Sequence, residues 1–274
     1  MARCNSDDCL RWRPDVLVNR GAGYQLEGEW YCSPGCLQEA ASQQLSDQPL
    51  AQEWPTTGPR IGSLLVHQKA LSAASLRLAL RSQEVTQLPL GRQLEQMGLV
   101  SRATVLRALS TQAGVSYLAA IDLSQVRSIT EPLTTATLRE LGLVAVGVSA
   151  DAQILKVACV APVRWPVLRA INRVTGWTAE PLLVSDSDWQ QLMTALAEKG
   201  QSQAIPVTDV EDAAALATKL AHEKRAHEVT MARVDPFILV RMENRNRHEH
   251  LLMHLDVDTS NAVSKEEPCL AASM

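Results

Sequence analysis

The sequence predicts an α+β fold assembled from several small units, and three features carry this prediction. Four of the six cysteines lie within the first 36 residues, the segment 60–112 contains a helical duplication, and β-rich runs alternate with helical runs over residues 113–200. We therefore expect a cysteine module (1–40), a linker rich in Gln, Ser and Pro (41–59), a duplicated helical segment (60–112) packed on a small α/β subdomain (113–200), and a tail of one helix and a β-hairpin (201–274).

The composition is that of a globular protein with substantial cores. Hydrophobic residues make up 46% of the chain and aromatic residues only 4%, so the cores are expected to consist mainly of Ala, Leu and Val. No run of 18 or more apolar residues occurs, and the first eight residues contain no apolar signal-peptide region. We therefore expect a cytoplasmic protein without a membrane span.

The N-terminal cysteines form two pairs. Cys4 and Cys9 are separated by four residues, Cys32 and Cys36 by three, and 22 residues lie between the pairs. In a reducing cytosol such pairs favour a zinc site over disulfides, and four thiolates give the closed tetrahedral set of a structural zinc. Four thiols without a metal are the alternative.

The surroundings of these cysteines predict a treble-clef-like finger. Residues 31–40 resemble its last limb, with metal ligands at the start of a helix. The apolar stretches 16–18 and 24–26 are expected to form a hairpin between the two limbs. Of the remaining cysteines, Cys159 lies in an apolar run and is expected to be a core residue.

The duplicated segment repeats after 29 residues. The first copy begins at Arg60 and the second at Pro89. The shift superimposes pairs of identical residues: Gly62 on Gly91, Leu65 on Leu94, Ser72 on Ser101, Ala79 on Ala108, Leu80 on Leu109 and Gln83 on Gln112. A self-match at a fixed period indicates that one supersecondary unit is used twice.

Each copy is predicted to form two helices. Ser72 and Ser101 are suitable N-cap residues for the second helix of each copy, and apolar residues follow them at helical spacing. A four-helix bundle with repeated packing positions would explain the leucines. It would not explain the glycine near the start of each copy or the glutamine at its end.

The charge of the duplicated segment differs from that of the chain. The segment contains seven Lys and Arg residues and two acidic residues, Glu84 and Glu95, so its net charge is +5. The whole chain has a net charge of −4. A locally basic repeat in an acidic protein favours an anionic partner, although a solvated helix face can also be basic.

The repeated pattern, Arg-apolar-Gly followed by an apolar pair, a turn and Leu-x-x-x-Leu-x-x-Gln, resembles the MshE-type N-terminal domain of bacterial type II secretion and type IV pilus assembly ATPases. The two copies are separated by the five residues 84–88, and the resemblance extends to about residue 200. It implies a receptor for cyclic di-GMP. The ligand-binding positions that it implies are Arg60, Ile61, Gly62, Leu65, Leu76, Leu80, Gln83, Leu90, Gly91, Arg92, Leu94, Val105, Leu109 and Gln112.

The chemistry of cyclic di-GMP suits a duplicated motif, because the ligand is two-fold symmetric and each copy offers one half-site. Gly62 and Gly91 are expected to let the backbone approach a phosphate, and arginine can pair with guanine O6 and N7. Leu65 and Leu94 are expected to lie against the guanine faces. The second copy has Pro89 in place of the basic residue of the family motif, so the arginine contact there is either missing or made by Arg92.

The rest of the chain is assigned from its periodicity. The α/β subdomain and the tail are predicted to contain a helix over 132–141, strands over 143–148 and 154–160, a helix over 165–174, a strand over 179–184, helices over 186–198 and 209–228, and a hairpin of 237–242 with 251–257. Residues 258–274 are expected to be disordered.

These features predict a non-catalytic regulatory module. The chain contains no Gly-x4-Gly-Lys-Ser/Thr pattern and no evident catalytic constellation. The leading hypothesis is that it binds cyclic di-GMP and relays this to a protein partner of a secretion or pilus system. The alternative is a protein–protein adaptor whose nucleotide site has decayed at Lys69 and Pro89. A nucleic-acid binder is disfavoured by the acidic balance.

Overall fold

A computed structural model describes residues 1–7, 9–18, 21–48, 58–119, 121, 123–126, 132–197, 204–245 and 247–256. Its helices are α1 (Asp15–Val18), α2 (Pro34–Asp47), α3 (Ile61–His67), α4 (Ala73–Thr86), α5 (Leu90–Gln96), α6 (Arg102–Ala113), α7 (Leu123–Val126), α8 (Thr135–Glu140), α9 (Trp165–Thr175), α10 (Asp186–Ala197) and α11 (Val210–Glu223). Its strands are β1 (Ala2–Arg3), β2 (Trp12–Arg13), β3 (Tyr24–Leu26), β4 (Glu29–Tyr31), β5 (Ser116–Tyr117), β6 (Val144–Ser149), β7 (Ile154–Cys159), β8 (Thr178–Leu183), β9 (Ile205–Val207), β10 (Glu228–Val234), β11 (Phe237–Asn244) and β12 (Arg247–Leu255). The predicted α+β class is confirmed.

The α/β subdomain contains a four-stranded sheet in the order β5-β8-β7-β6. β6 and β7 form the antiparallel hairpin that the sequence predicts, and β7 runs parallel to β8. Helix α9 makes the crossover between these parallel strands and ends at Gly176, whose φ of 73° is the left-handed conformation that favours glycine. Cys159 is buried at the end of β7, as expected of a core residue.

A second sheet joins strands β3 and β4, near the cysteines, to strands β9 to β12. Its strand order is β4-β3-β10-β11-β12-β9, so the hairpin beside the cysteines continues the sheet of the tail. Strand β3 pairs in parallel with β10, with Gln25 opposite Glu228 and Leu26 opposite Val229. Helices α2 and α11 pack against each other and share one core with this sheet.

The expectation of a separate finger and a separate tail is therefore wrong at this sheet. The predicted helix over 209–228 ends earlier, at Glu223, and a strand that the sequence analysis missed, β10, follows it. This strand pairs with β11 on one side and with β3 on the other. The residues near the cysteines and the C-terminal strands share a core because α2 and α11 both bury apolar side chains against this sheet.

Helix α9 lies between the two sheets. Side chains alternate across each strand, so Met231 and Val240 face α2 and α11, whereas Ala232 and Leu239 face α9. From the other side, β7 also contributes to the core around α9, and Ile171 is completely buried there. The far face of the four-stranded sheet is covered by α10. The layers are therefore helix, sheet, helix, sheet, helix.

Two local expectations also need correction. Helix α2 continues to Asp47, and its residues Ala41 and Leu45 are buried, so the first part of the predicted linker belongs to a core helix. Residues 16–18 lie in α1, and the hairpin is formed by β3 and β4 around the turn at Gly28. Residues 49–57 and 258–274 lie outside the described residues.

No helix among the described residues is long and apolar enough to cross a membrane.

Candidate metal and ligand sites

The four N-terminal cysteines converge on one point. The Sγ atoms of Cys4, Cys9, Cys32 and Cys36 all lie within 4.8 Å of one another. The Sγ atom of Cys32 is 3.5 Å from that of Cys9 and 3.9 Å from that of Cys36. Thiolates at the corners of a tetrahedron, each about 2.3 Å from a zinc ion, are about 3.8 Å apart. The arrangement could hold a metal ion, and its all-thiolate donor set suits structural zinc.

Local structure positions each thiol. The backbone N–H of Cys4 donates to Arg11 O, which closes the loop that carries Cys9. The N–H of Cys32 donates to Cys4 Sγ over 3.4 Å. Cys36 lies in the first turn of α2, where its N–H donates to the hydroxyl of the N-cap residue Ser33. The predicted position of a ligand at a helix start is therefore present.

The protonation of these thiols depends on their surroundings. Burial, and then hydrogen bonds with the neighbouring thiols, raise the pKa of Cys32 to about 12. A hydrogen bond with Ser33 lowers the pKa of Cys36 to about 7. A metal that binds thiolates must displace the proton of Cys32, so metal binding releases protons and weakens as the pH falls.

The cysteine centre is attached to the shared core. The N–H of Asn5 donates to Trp30 O, and the indole N–H of Trp30 donates to Ala22 O. The hydroxyl of Tyr24 lies 2.7 Å from Nδ1 of His222, on α11. The contact between Tyr24 and His222 connects the hairpin beside the cysteines to α11.

The two copies of the duplicated segment pack on each other reciprocally. Helix α3 of the first copy packs chiefly on α6 of the second, and α5 of the second packs on α4 of the first. Ser72 and Ser101 are N-caps, each accepting a backbone hydrogen bond from the residue three positions later, as predicted. The four helices enclose one core.

The glycines lie where the two copies meet. A Cβ atom at Gly62 would be 2.8 Å from Cδ1 of Leu76 and 3.3 Å from Cδ2 of Leu90. A Cβ atom at Gly91 would be 2.9 Å from Cγ1 of Val105 and 3.9 Å from Cδ1 of Ile61. These neighbours are equivalent residues of the two copies. The residue before each glycine, Ile61 or Leu90, therefore lies against the start of the other copy. We call residues 60–62 and 89–91 the openings of the two copies.

This geometry changes the interpretation of several predicted ligand positions. The space beside each glycine is filled by apolar side chains, so Gly62 and Gly91 serve close helix packing on that side. Leu65 and Leu94 have exposed fractions of 0% and lie in the core between the helices. In this conformation neither leucine can lie against a guanine. Both are apolar residues of a helical pattern, which does not show by itself which side faces a ligand.

The Gly62→Leu variant is expected to destabilise the duplicated segment by about 1–3 kcal/mol, because the added side chain overpacks the contact with Leu76 and Leu90. Thermal unfolding measures this. Ser63→Leu is the matched control on the exposed side of the same helix, with an expected change within about 0.5 kcal/mol. Equal effects of the two variants would contradict the packing role.

Polar side chains fix the spacer and the position of α5. Nε2 of Gln83 donates to Leu88 O over 2.8 Å. Gln93, which the sequence analysis missed, is buried and donates to Ser82 while accepting from Thr86. A polar residue on an otherwise apolar helix face is the only signal that could have indicated it.

Two arginines of the second copy, Arg92 and Arg102, form ion pairs with carboxylates. Nε of Arg92 lies 2.7 Å from a carboxylate oxygen of Asp186, and this contact raises the pKa of Arg92. Nε of Arg102 lies 3.5 Å from a carboxylate oxygen of Glu95, and its guanidinium also donates to Ser187. The start of α10 therefore holds the second copy against the α/β subdomain.

A cleft of about 1170 Å³ lies between the second copy and the α/β subdomain. Its opposite wall includes Arg164 and Trp165, together with the turn between β10 and β11. Nothing in the sequence pattern connected these two residues to the repeat. Seven of the fourteen predicted ligand positions line the cleft: Ile61, Leu90, Gly91, Arg92, Val105, Leu109 and Gln112.

The other predicted positions do not line the cleft. Arg60 is exposed just before α3, and Leu80 is 42% exposed on α4. Leu76 and Gln83 are partly buried beside them. The two half-sites therefore differ, because the second faces the α/β subdomain and the first faces solvent.

Comparison with known proteins gives a partial likeness. No family model matches the chain, and no curated protein sequence matches it. Among solved structures, the chain is similar to a structure of MshE with cdg, with 24% identity and a TM-score of 0.39 over 52% of this chain and 99% of that chain. It is also similar to two crystal forms of the N-terminal domain of XpsE, with 19% and 20% identity and TM-scores of 0.36 and 0.28, over 53% of this chain and 97% and 99% of those chains.

Proposed function

We propose that this chain is a regulatory module that binds cyclic di-GMP at the duplicated segment and relays binding to a protein partner of a secretion or pilus system. The observation that carries the proposal is the reciprocal meeting of the two copies, in which Ile61-Gly62 contacts Leu90-Gly91. A two-fold symmetric ligand requires two equivalent openings that lie together. The sequence resemblance to the MshE-type domain supports the same ligand.

The charge of the duplicated segment supports an anionic ligand. Among the described residues, only Arg92 and Arg102 of its seven cationic side chains form ion pairs. The remaining cations, Arg60, Lys69, Arg77, Arg81 and Arg107, are exposed. They give the segment an excess of positive charge with which phosphates can interact.

Arg60→Ala tests the proposal at the first opening. Charge-assisted hydrogen bonds to a phosphate or guanine contribute about 1.5–3 kcal/mol, so loss of this side chain should weaken binding about tenfold or more in calorimetric titrations with cyclic di-GMP. The matched control is Arg225→Ala, which removes an exposed arginine from the turn after α11. Equal affinities of both variants would remove Arg60 from the site.

We further propose that the cysteine centre holds one structural zinc ion. Cys4, Cys9, Cys32 and Cys36 would supply all four ligands, and a closed four-thiolate set leaves no position for a substrate. Its contribution would be to the folding of the loops around it.

A second candidate function is a protein–protein adaptor. It is favoured by the burial of Leu65 and Leu94, by the ion pair that occupies Arg92, and by the exposed apolar residues Leu78, Leu80 and Val85 on α4. An adaptor would bind its partner equally well with and without cyclic di-GMP. A ligand-dependent change in partner affinity would support the sensor.

We also propose that this chain does not hydrolyse ATP, since its 274 residues lack a phosphate-binding Gly-x4-Gly-Lys-Ser/Thr loop. Purified protein incubated with ATP and Mg²⁺ should release phosphate at the background rate. Sustained hydrolysis that survives further purification would reveal a site outside the residues discussed above.

A further inference from the structure

The openings of the two copies have the same backbone but different charge. Arg60 precedes α3 with φ −59° and ψ 140°, and Pro89 precedes α5 with φ −53° and ψ 137°. The second opening therefore has no cation at the position where the first has Arg60. Arg92, one turn away, is held by Asp186. A symmetric ligand would lack a positive partner on this side unless another element supplied one.

The cleft beside the second opening contains one unpaired cation. Its three carboxylates are each paired with an arginine: Glu95 with Arg102, Asp186 with Arg92, and Asp235 with Arg233. Arg164 lines the same cleft as Pro89. In the described part of the chain the Arg164 guanidinium forms neither an ion pair nor a side-chain hydrogen bond. Arg164 therefore leaves the cleft with a surplus positive charge.

An aromatic ring lies next to this cation. Trp165 is the first residue of α9 and lines the cleft. Its surface is 38% exposed, although most large apolar side chains among the described residues are buried. An exposed tryptophan beside an unpaired arginine suits a ligand that combines a base with a phosphate, because every base has a face that can stack on an aromatic ring.

We propose that the α/β subdomain completes the second half-site of the duplicated segment. Arg164 supplies the cation that Pro89 does not, and Trp165 supplies a stacking face for one guanine. The inference rests on the proposed function, since it takes cyclic di-GMP as the ligand. It places binding residues outside the repeat, so ligand binding joins the repeat to the subdomain.

The first test measures binding of cyclic di-GMP to the full chain by calorimetry. Arg164→Ala should weaken binding at least about tenfold. Adding Pro89→Arg to this variant should restore most of the lost affinity, because Arg60 shows that arginine fits this backbone conformation in the first copy. Arg225→Ala is the control, and the melting temperature of each variant shows whether it folds.

The second test uses tryptophan fluorescence. Trp165→Leu should weaken binding about fivefold or more, since leucine is apolar but has no ring on which a base can stack. Trp165→Phe should bind nearly as well as the unaltered chain, and the ligand-induced fluorescence change should be smaller because one of the six tryptophans has been removed from the site. This pair separates stacking from simple loss of apolar contact.

The results distinguish the two proposals. If the unaltered chain binds and Arg164→Ala and Trp165→Leu bind equally well, this inference is overturned and the proposed function stands. If Arg164→Ala weakens binding and Pro89→Arg does not restore it, Arg164 does not substitute for a cation at position 89. If the unaltered chain does not bind, both proposals fail.

Discussion

Replacing Cys32 and Cys36 together with serine is expected to abolish zinc binding and to unfold the six-stranded sheet. In a structural zinc site the free energy of metal binding contributes directly to folding, so the loss of stability should be on the order of 5 kcal/mol or more. The strands beside these cysteines carry Leu26 and Trp30 into the core that they share with α11 and β10. The loss of stability should therefore extend to the C-terminal strands of the six-stranded sheet.

The measurements are the zinc content per chain and hydrogen-exchange protection across the six-stranded sheet. The unaltered protein should contain about one zinc ion per chain. The matched control is Cys159→Ala, which removes a buried thiol far from the centre along the chain and should leave the zinc content unchanged. Unaltered protein that contains no zinc when purified without chelator would contradict the metal assignment. Loss of zinc with full protection of β10 would contradict the coupling.

Ile171→Ala is expected to have the second-largest effect. Ile171 is completely buried on α9 and lies in the core between the two sheets. Truncating such a side chain removes apolar contacts and leaves a cavity, which costs about 2–5 kcal/mol. Because α9 packs on both sheets, the protection of β7 and of β11 should fall together.

Arg173→Ala is the matched control on the same helix. Nε of Arg173 lies 3.1 Å from a carboxylate oxygen of Glu27, but both side chains are partly exposed, so this ion pair should contribute less than about 1 kcal/mol. A small effect of Ile171→Ala, or an effect on only one sheet, would contradict the layered arrangement around α9.

The parts of the fold that the sequence predicted depend on local interactions. Ser72 and Ser101 mark helix starts because their hydroxyls accept backbone N–H groups, and Gly176 marks a helix end because it adopts a positive φ. The hairpin of β6 and β7 follows from two β-rich runs with a turn between them. Such features require only neighbouring residues, and a single sequence contains that information.

The parts that the sequence did not predict depend on distant contacts. The pairing of Leu26 with Val229 joins strands about 200 residues apart, and no periodic pattern specifies it. In the ligand site, helical spacing shows that Leu94 and Leu109 are apolar positions, but only the packed structure shows that Leu94 is enclosed while Leu109 is partly exposed and lines the cleft. Arg164 and Trp165 lie in the α/β subdomain, outside the repeat of residues 60–112, so the repeat pattern could not identify them.

The most direct test of the proposed sensor function is a calorimetric titration of the unaltered 274-residue chain with cyclic di-GMP. GMP is the matched ligand that offers one half of the molecule. The sensor proposal predicts saturable binding of cyclic di-GMP and much weaker binding of GMP, because the two openings of the duplicated segment lie together and each would contact one half of the ligand. The absence of heat, and of hydrogen-exchange protection over residues 60–112, at high micromolar ligand would contradict the sensor and leave the adaptor as the better explanation of the same residues.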